Sequence, residues 1–272
     1  MPVSPVTLVC LIVATLVVAV LPVFLYRRWR VPFALKPRDA IAGIAVFALT
    51  AMVIERALND YLLQHNAATA AWLAQPLAFI VYGALTAGVC QEVGRYLAMR
   101  WIARRSVGNP RDPRDPRDNT DGVALGYGLG HGGAEAWLVG VMVQAQWIAF
   151  AVMENRGQLD TYLSNIPVEA LMRIHMILAT LSPATAGLFV IERVAALVLQ
   201  IGLSVLMWRG VRAGSRTILP VAIVAHALID VPAALSQARI LPLVAVDGIY
   251  AVVALAVAAA LFNLFRRAPR AA

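Results

Sequence analysis

Apolar residues occur in seven long stretches separated by short polar segments. A transmembrane helix needs roughly 20 predominantly apolar residues to cross the hydrocarbon core of a bilayer. The stretches cover residues 5–26, 40–62, 71–100, 122–150, 184–208, 217–236 and 240–264. This pattern predicts an all-α, polytopic bundle of about seven transmembrane helices.

The basic residues between these stretches alternate from one loop to the next. Arginine-rich segments follow the first, third, fifth and last stretches, whereas the other loops hold only scattered basic residues: Arg156, Arg173 and Arg239. Lysine and arginine concentrate in the cytoplasmic loops of membrane proteins. The alternation therefore predicts an N-terminus outside the cell and a C-terminus in the cytoplasm.

Composition supports a membrane protein and argues against nucleic acid as a partner. Of 272 residues, 61% are hydrophobic and 14% are charged, with a net charge of +8. Because the arginines lie in the predicted cytoplasmic loops, the positive-inside bias accounts for the basic charge. We therefore expect a multi-pass protein of the plasma membrane in which residues 1–272 form a single integral membrane domain.

Two of the segments that connect the spans have a distinctive composition. Residues 103–121 contain the repeat RDPRDPRD and predict a stiff cytoplasmic linker, because proline removes backbone donors and favours an extended chain. Residues 154–183 form a predicted external loop, in which the apolar run from Pro167 to Leu181 is a candidate interfacial helix.

Ionisable residues inside the predicted spans are the main functional signal. His131 is followed by Glu135, and His226 by Asp230, each four residues later and so on the same helix face. Glu92 lies in the third span. Ionisable groups in the membrane interior are energetically costly and usually mark a transport pathway, a proton relay or a reaction centre.

The polar residues also share a depth in the membrane. At a helical rise of about 1.5 Å per residue, four of them lie about 12 to 15 Å from the basic end of their own span: Glu92, His131, Gln200 and His226. Four different spans contribute one residue each. This coincidence predicts a single site in the cytoplasmic half of the bilayer.

Purely structural interpretations compete at these positions. Glu92 and Arg95 can form an internal ion pair, and the glycines around His131 can serve only for close helix packing. The adjacent pairs Glu55–Arg56 and Glu192–Arg193 lie nearer the outer side, and for them we expect interhelical salt bridges.

Three segments resemble a known family in the same order along the chain. QEVGRY, GYGLGHGGAEA and HALID are similar to motifs of the YhfC family of intramembrane metalloproteases, distant relatives of CAAX-protease and bacteriocin-processing proteins. The resemblance spans roughly residues 40 to 265. The glycine-flanked histidine with its glutamate is the most specific part.

The resemblance implies a set of site residues. Glu92, His131 and His226 correspond to catalytic residues and to candidate ligands of a zinc ion. A second set would orient them: Arg95, Glu135, Gln200 and Asp230. Gln91 replaces the first glutamate of the family's usual pair, and Gln200 stands where the family pattern has a further histidine. Glutamine is neither a general base nor a common zinc ligand.

These features favour an intramembrane protease that hydrolyses membrane-proximal peptide bonds. Glu92 would act as the base, while His131 and His226 would hold zinc or, without a metal, orient the water and the oxyanion. Substrates would be membrane proteins or lipidated peptides that reach the site from the cytoplasmic half of the bilayer.

Two other classes of function remain open. The substitutions at Gln91 and Gln200 fit a non-catalytic relative that binds membrane segments without cleaving them. Aligned buried carboxylates and histidines also occur in proton-coupled transporters. The sequence shows no internal repeat with matching broken helices, which counts against transport.

Overall fold

The computed structural model describes residues 2–106 and 121–266, which are almost entirely helical and contain no strand. These residues form ten helices: α1 (Pro5–Arg30), α2 (Pro37–His65), α3 (Ala67–Leu73), α4 (Pro76–Ser106), α5 (Gly122–Asn155), α6 (Leu159–Tyr162), α7 (Val168–Thr180), α8 (Pro183–Arg212), α9 (Ile218–Gln237) and α10 (Leu243–Arg266).

Seven of these helices are long and apolar enough to cross a membrane: α1, α2, α4, α5, α8, α9 and α10. They confirm the predicted all-α bundle and its number of spans. The orientation of the termini remains a prediction.

The third span begins later than predicted. Residues 67–73 form the separate short helix α3, and α4 begins at Pro76 instead of residue 71. Proline has no backbone N–H and disfavours a helical conformation in the residue before it. The apolar run is continuous in sequence, but Pro76 starts a new helix within it.

Wider π-helical turns interrupt two of the spans. In α2 they cover Ala48–Glu55 and Tyr61–His65, and in α5 they cover Ala136–Val141. A π turn holds an extra residue and changes the face on which the following side chains lie. Glu55 closes the first π segment, so this irregularity helps to position its carboxylate, whereas Glu135 directly precedes the π segment in α5.

Helices α2 and α5 cross at glycines. A Cβ atom added at Gly130 would lie 2.0 Å from the carbonyl oxygen of Ala40, and one added at Gly43 would lie 2.2 Å from that of Tyr127. Small residues allow such close approach of helix backbones in membranes. The predicted glycine packing face is therefore present, and it fixes the height of His131 beside α2.

The arginine-rich end of the bundle is filled by packed side chains. Arg209 at the end of α8 contacts Asp121, which precedes α5, and its Nε lies 3.0 Å from Asp121 Oδ1. Just above this pair, Met99, Met207 and Trp208 are completely buried in the largest apolar cluster. This end of the bundle therefore contains a continuous apolar plug.

The segment between the fourth and fifth spans contains the helix that the sequence suggested. α7 packs Leu171, Ile174 and Leu178 against an apolar cluster that includes Phe150 of α5. His175 pairs with acids on both sides: its Nε2 lies 2.9 Å from Asp160, and its Nδ1 lies 3.2 Å from Glu154. Placement of α7 at a membrane surface remains a prediction.

The predicted cytoplasmic linker at 103–121 falls mainly on residues 107–120, which lie outside the described residues.

Candidate functional site

Four spans bring the predicted site residues into one region of the bundle. The contributing side chains are Gln91, Glu92 and Arg95 of α4, His131 and Glu135 of α5, Gln200 of α8, and His226 and Asp230 of α9. Helices α4 and α9 pack extensively along their lengths, which aligns Glu92 with His226.

His226 and Glu92 form a buried hydrogen-bonded pair. His226 Nδ1 lies 2.8 Å from Glu92 Oε1, and the two side chains are 5% and 0% exposed. A carboxylate accepts hydrogen bonds only, so we assign the proton to Nδ1 of a neutral His226. The lone pair of the imidazole is then on Nε2, which lies 3.6 Å from Asp230 Oδ2.

Arg95 contacts the Glu92 carboxylate of this pair at its second oxygen. Its Nε lies 3.2 Å from Glu92 Oε2, one helical turn away, as the sequence suggested. The fully buried guanidinium also donates to Ser204 Oγ at 2.7 Å and to the backbone oxygen of Gln200 at 2.9 Å. It contacts the side-chain amide oxygen of Gln200 as well. A buried charge needs such partners, and this network joins α4 to α8.

Two glutamines occupy the centre of the site. Gln91 Oε1 lies 3.2 Å from His131 Nε2 and 3.4 Å from Gln200 Nε2. Gln200 Nε2 also donates to Glu135 Oε2 at 2.8 Å, and Gln91 Nε2 lies 3.4 Å from Glu55 Oε2. The amide groups therefore link the carboxylates of α2 and α5.

His131 serves this amide network as a donor. Because Gln91 Oε1 can only accept, we assign the proton of His131 to Nε2. The ring stacks on Tyr127 at 5.9 Å and meets the edge of Phe47 at 5.1 Å, and it is completely buried. His131 thereby holds Gln91 in place.

A cavity of about 510 Å³ adjoins these groups. Its polar lining consists of Glu55, Gln91, Glu135, Glu192, Arg193, Gln200, His226, Asp230, Ser236, Gln237 and Tyr250. Neither Glu92 nor His131 lines it. The sequence predicted a wet pocket shared by Glu92, His131 and His226, but of these three only His226 reaches the cavity.

The cavity opens away from the arginine-rich end. It runs from Gln91 and His226 to Gln237 and Leu243, where α9 ends and α10 begins. The apolar plug around Trp208 fills the opposite end. The sequence predicted an approach from the arginine-rich, cytoplasmic half of the bilayer, whereas this lining favours the other end; the route of the substrate stays a prediction.

Sequence reasoning missed several residues of the cavity wall. Glu55 does not pair with Arg56 but faces Gln91. Glu192 contacts its neighbour Arg193, and Arg193 Nη1 also lies 3.7 Å from Glu135 Oε1 on another helix. From the sequence we expected Glu55 and Glu192 to form structural salt bridges, because both lie near the outer end of their spans. The π segment that ends at Glu55 is not visible in residue types or spacing.

Comparison with known proteins identifies the family. Residues 17–251 match the family described as YhfC intramembrane metalloprotease. This chain belongs to the YhfC family. It is 34% identical over 200 residues, 73% of each chain, to the uncharacterized membrane protein YhfC of Bacillus subtilis (strain 168). No solved structure shows a significant match. Together with the seven apolar helices, the YhfC match shows a multi-pass integral membrane protein.

The YhfC family name implies a metal, but the side chains present do not fit a conventional metal site. Within residues 2–106 and 121–266, no group of three His, Cys, Asp or Glu side chains is placed to hold an ion. The sequence offered His131, His226 and Glu92 as ligands. Glu92 instead pairs with His226 and Arg95, and His131 Nε2 bonds to a glutamine.

Restoring ligand types at the two glutamines is expected to create a zinc site. Gln91 lies within hydrogen-bond range of both His131 and Gln200, so a Gln91→Glu, Gln200→His variant would bring a carboxylate and two imidazoles together. Metal analysis after dialysis should find more zinc in this variant than in the wild type. Gln146→His, on the exposed face of α5, is the control. Equal zinc in wild type and variant would contradict the prediction.

Proposed function

We propose that this YhfC protein is an intramembrane peptidase that hydrolyses membrane-proximal peptide bonds, with the His226–Glu92 pair activating water. The observation that carries the proposal is a hydrogen-bonded imidazole–carboxylate pair in which the imidazole also lines a polar cavity, so that its second nitrogen, Nε2, can meet a water there. A histidine held in one tautomer by a carboxylate is a common general base.

The reaction requires a water molecule beside His226 Nε2. A single water can hydrogen-bond to both Nε2 and Asp230 Oδ2 from the cavity side, because these atoms are 3.6 Å apart. Nε2 takes a proton as the water oxygen attacks the peptide carbonyl carbon. The imidazolium then gives that proton to the leaving amine, so that one water yields a carboxylic acid and an amine.

Glu92 acts through His226 in this mechanism. Its carboxylate stabilises the imidazolium that forms when Nε2 accepts a proton, and Arg95 keeps the carboxylate in place. The resemblance assigned the base to Glu92 itself. Glu92 is completely buried, does not line the cavity and is paired with His226 and Arg95, so we assign it a positioning role and give the base to His226.

The oxyanion needs a donor on the opposite side of the carbonyl. Gln91 Nε2 is the best candidate, since Gln91 lines the cavity and the hydrogen bond from its Nε2 to Glu55 is long, at 3.4 Å. His131 and Gln200 hold the Gln91 amide from its oxygen side. Glu135 in turn orients Gln200.

Segments of membrane proteins or lipidated peptides are the proposed substrates. The cavity lies within a bundle of membrane-spanning helices and has the size of a typical ligand pocket. A substrate would enter from the end where α9 and α10 meet. By the predicted orientation this is the outer side of the plasma membrane.

A non-catalytic role is the second candidate, and a specific observation favours it. Gln91 and Gln200 replace an acid and a histidine of the family pattern, and their amides bond to each other in the site. Such a protein would bind membrane segments in the same cavity and release them intact.

Cleavage in liposomes tests the proposal and separates the two candidates. Wild-type protein should cut members of a membrane-peptide library, with products identified by mass spectrometry. Glu92→Gln should lower the rate about 10- to 100-fold, because an amide cannot stabilise the imidazolium. Glu169→Gln, on an exposed position of α7, should leave the rate unchanged. Binding without cleavage by wild type would support the non-catalytic candidate instead.

A further inference from the structure

The cavity wall carries more negative than positive charge. Four carboxylates line it, and Arg193 is the single lysine or arginine among its lining residues. Arg193 contacts Glu192 and lies 3.7 Å from Glu135. The other two of the four carboxylates, those of Glu55 and Asp230, share no ion pair with a lysine or arginine among the described residues.

Glu55 and Asp230 lie on different helices but line the same cavity. Glu55 contacts only the neutral amide of Gln91, at 3.4 Å, and Asp230 lies 3.6 Å from His226 Nε2. Unpaired carboxylates in partly buried surroundings are unfavourable unless a cation joins them.

A second observation indicates that a ligand belongs here. The His226 side chain is 95% buried, yet its Nε2 has no hydrogen-bond partner within the described residues, and His226 lines the cavity. The cavity is much larger than a single ion, and its volume is sufficient for an amino-acid side chain and part of the backbone that carries it. Alanines 51, 87, 196 and 233 contribute small apolar side chains to its wall.

We propose that the cavity selects substrate segments by a lysine or arginine side chain, whose charged end lies between Glu55 and Asp230. This inference rests on the proposed function and names its substrate class. The aliphatic stem of such a residue can lie along the alanines while its charged end reaches the carboxylates. Hydrogen bonds between charged partners are the strong ones, and they would place the neighbouring peptide bond near His226.

Binding measurements test the subsite independently of cleavage. Membrane-spanning peptides with a single lysine, norleucine or glutamate at matched positions would be titrated against wild-type protein in neutral-lipid vesicles. The lysine peptide is expected to bind about tenfold more tightly than the norleucine peptide. Glu55→Gln should remove most of this preference without changing the affinity for norleucine. Glu169→Gln should leave both affinities as they are.

Each outcome has a defined consequence. Equal affinities for lysine and norleucine, or a preference that survives Glu55→Gln, would overturn the subsite even if cleavage occurs. A lysine preference without cleavage would support the subsite while the proposed hydrolysis fails. Titration with Zn²⁺ is the final arm. If Zn²⁺ binds wild type but not Glu55→Gln while the lysine peptide binds no better than the norleucine peptide, the carboxylates hold a metal and the lysine assignment is overturned.

Discussion

A His226→Gln variant is expected to lose about 10²- to 10⁴-fold in the rate of peptide cleavage while keeping its fold. The loss follows because glutamine cannot accept the proton that the imidazole takes from water. Glutamine can still donate a hydrogen bond toward Glu92, so the buried carboxylate is not left without a partner. The measurement is the single-turnover cleavage rate in liposomes, with thermal unfolding in detergent as the check on folding.

The matched control is His65→Gln, at an exposed histidine that ends α2. It should cleave at the wild-type rate. A Glu92→Gln, His226→Gln double variant should be no slower than His226→Gln alone, because residues that act as a unit are not additive. Wild-type cleavage by His226→Gln, or a double variant far slower than both single variants, would show that Glu92 does not act through His226.

The spans and the shared depth of the polar residues were predictable from the sequence. Both follow from the length of apolar runs and the fixed rise of a helix, which depend on local chemistry alone. Glu92, Gln200 and His226 do meet at one level. The late start of α4 was the main error in the spans, and Pro76 was its visible cause.

The direction of each side chain was not predictable. Whether Glu92 faces the cavity or Arg95 depends on the rotation of α4 about its axis, which the packing of α8 and α9 sets. Glu55 was missed because a π segment changes its face. The extent of the cavity was not predictable for a similar reason. Trp208 and Met99 look like ordinary apolar residues until their packing shows that they close one route.

The second large effect is expected from Gly130→Ala, which should prevent the normal packing of α2 on α5. The added Cβ would lie 2.0 Å from the carbonyl oxygen of Ala40 and 2.7 Å from its carbonyl carbon. These are backbone atoms and cannot turn aside as a flexible side chain could. We expect a loss of at least ~3 kcal/mol in stability or failure to fold, within the range of severe packing defects.

Gly187→Ala is the control, because no atom lies within 4 Å of the Cβ it would add to α8. This change should be neutral or slightly stabilising, since alanine favours a helix over glycine. Yield of monodisperse protein and the unfolding midpoint in detergent compare the two variants. Normal stability of Gly130→Ala would mean that α2 and α5 do not cross this closely. His131 sits one residue beyond this crossing, so the same contact that stabilises the bundle also sets the position of the ring beneath Gln91.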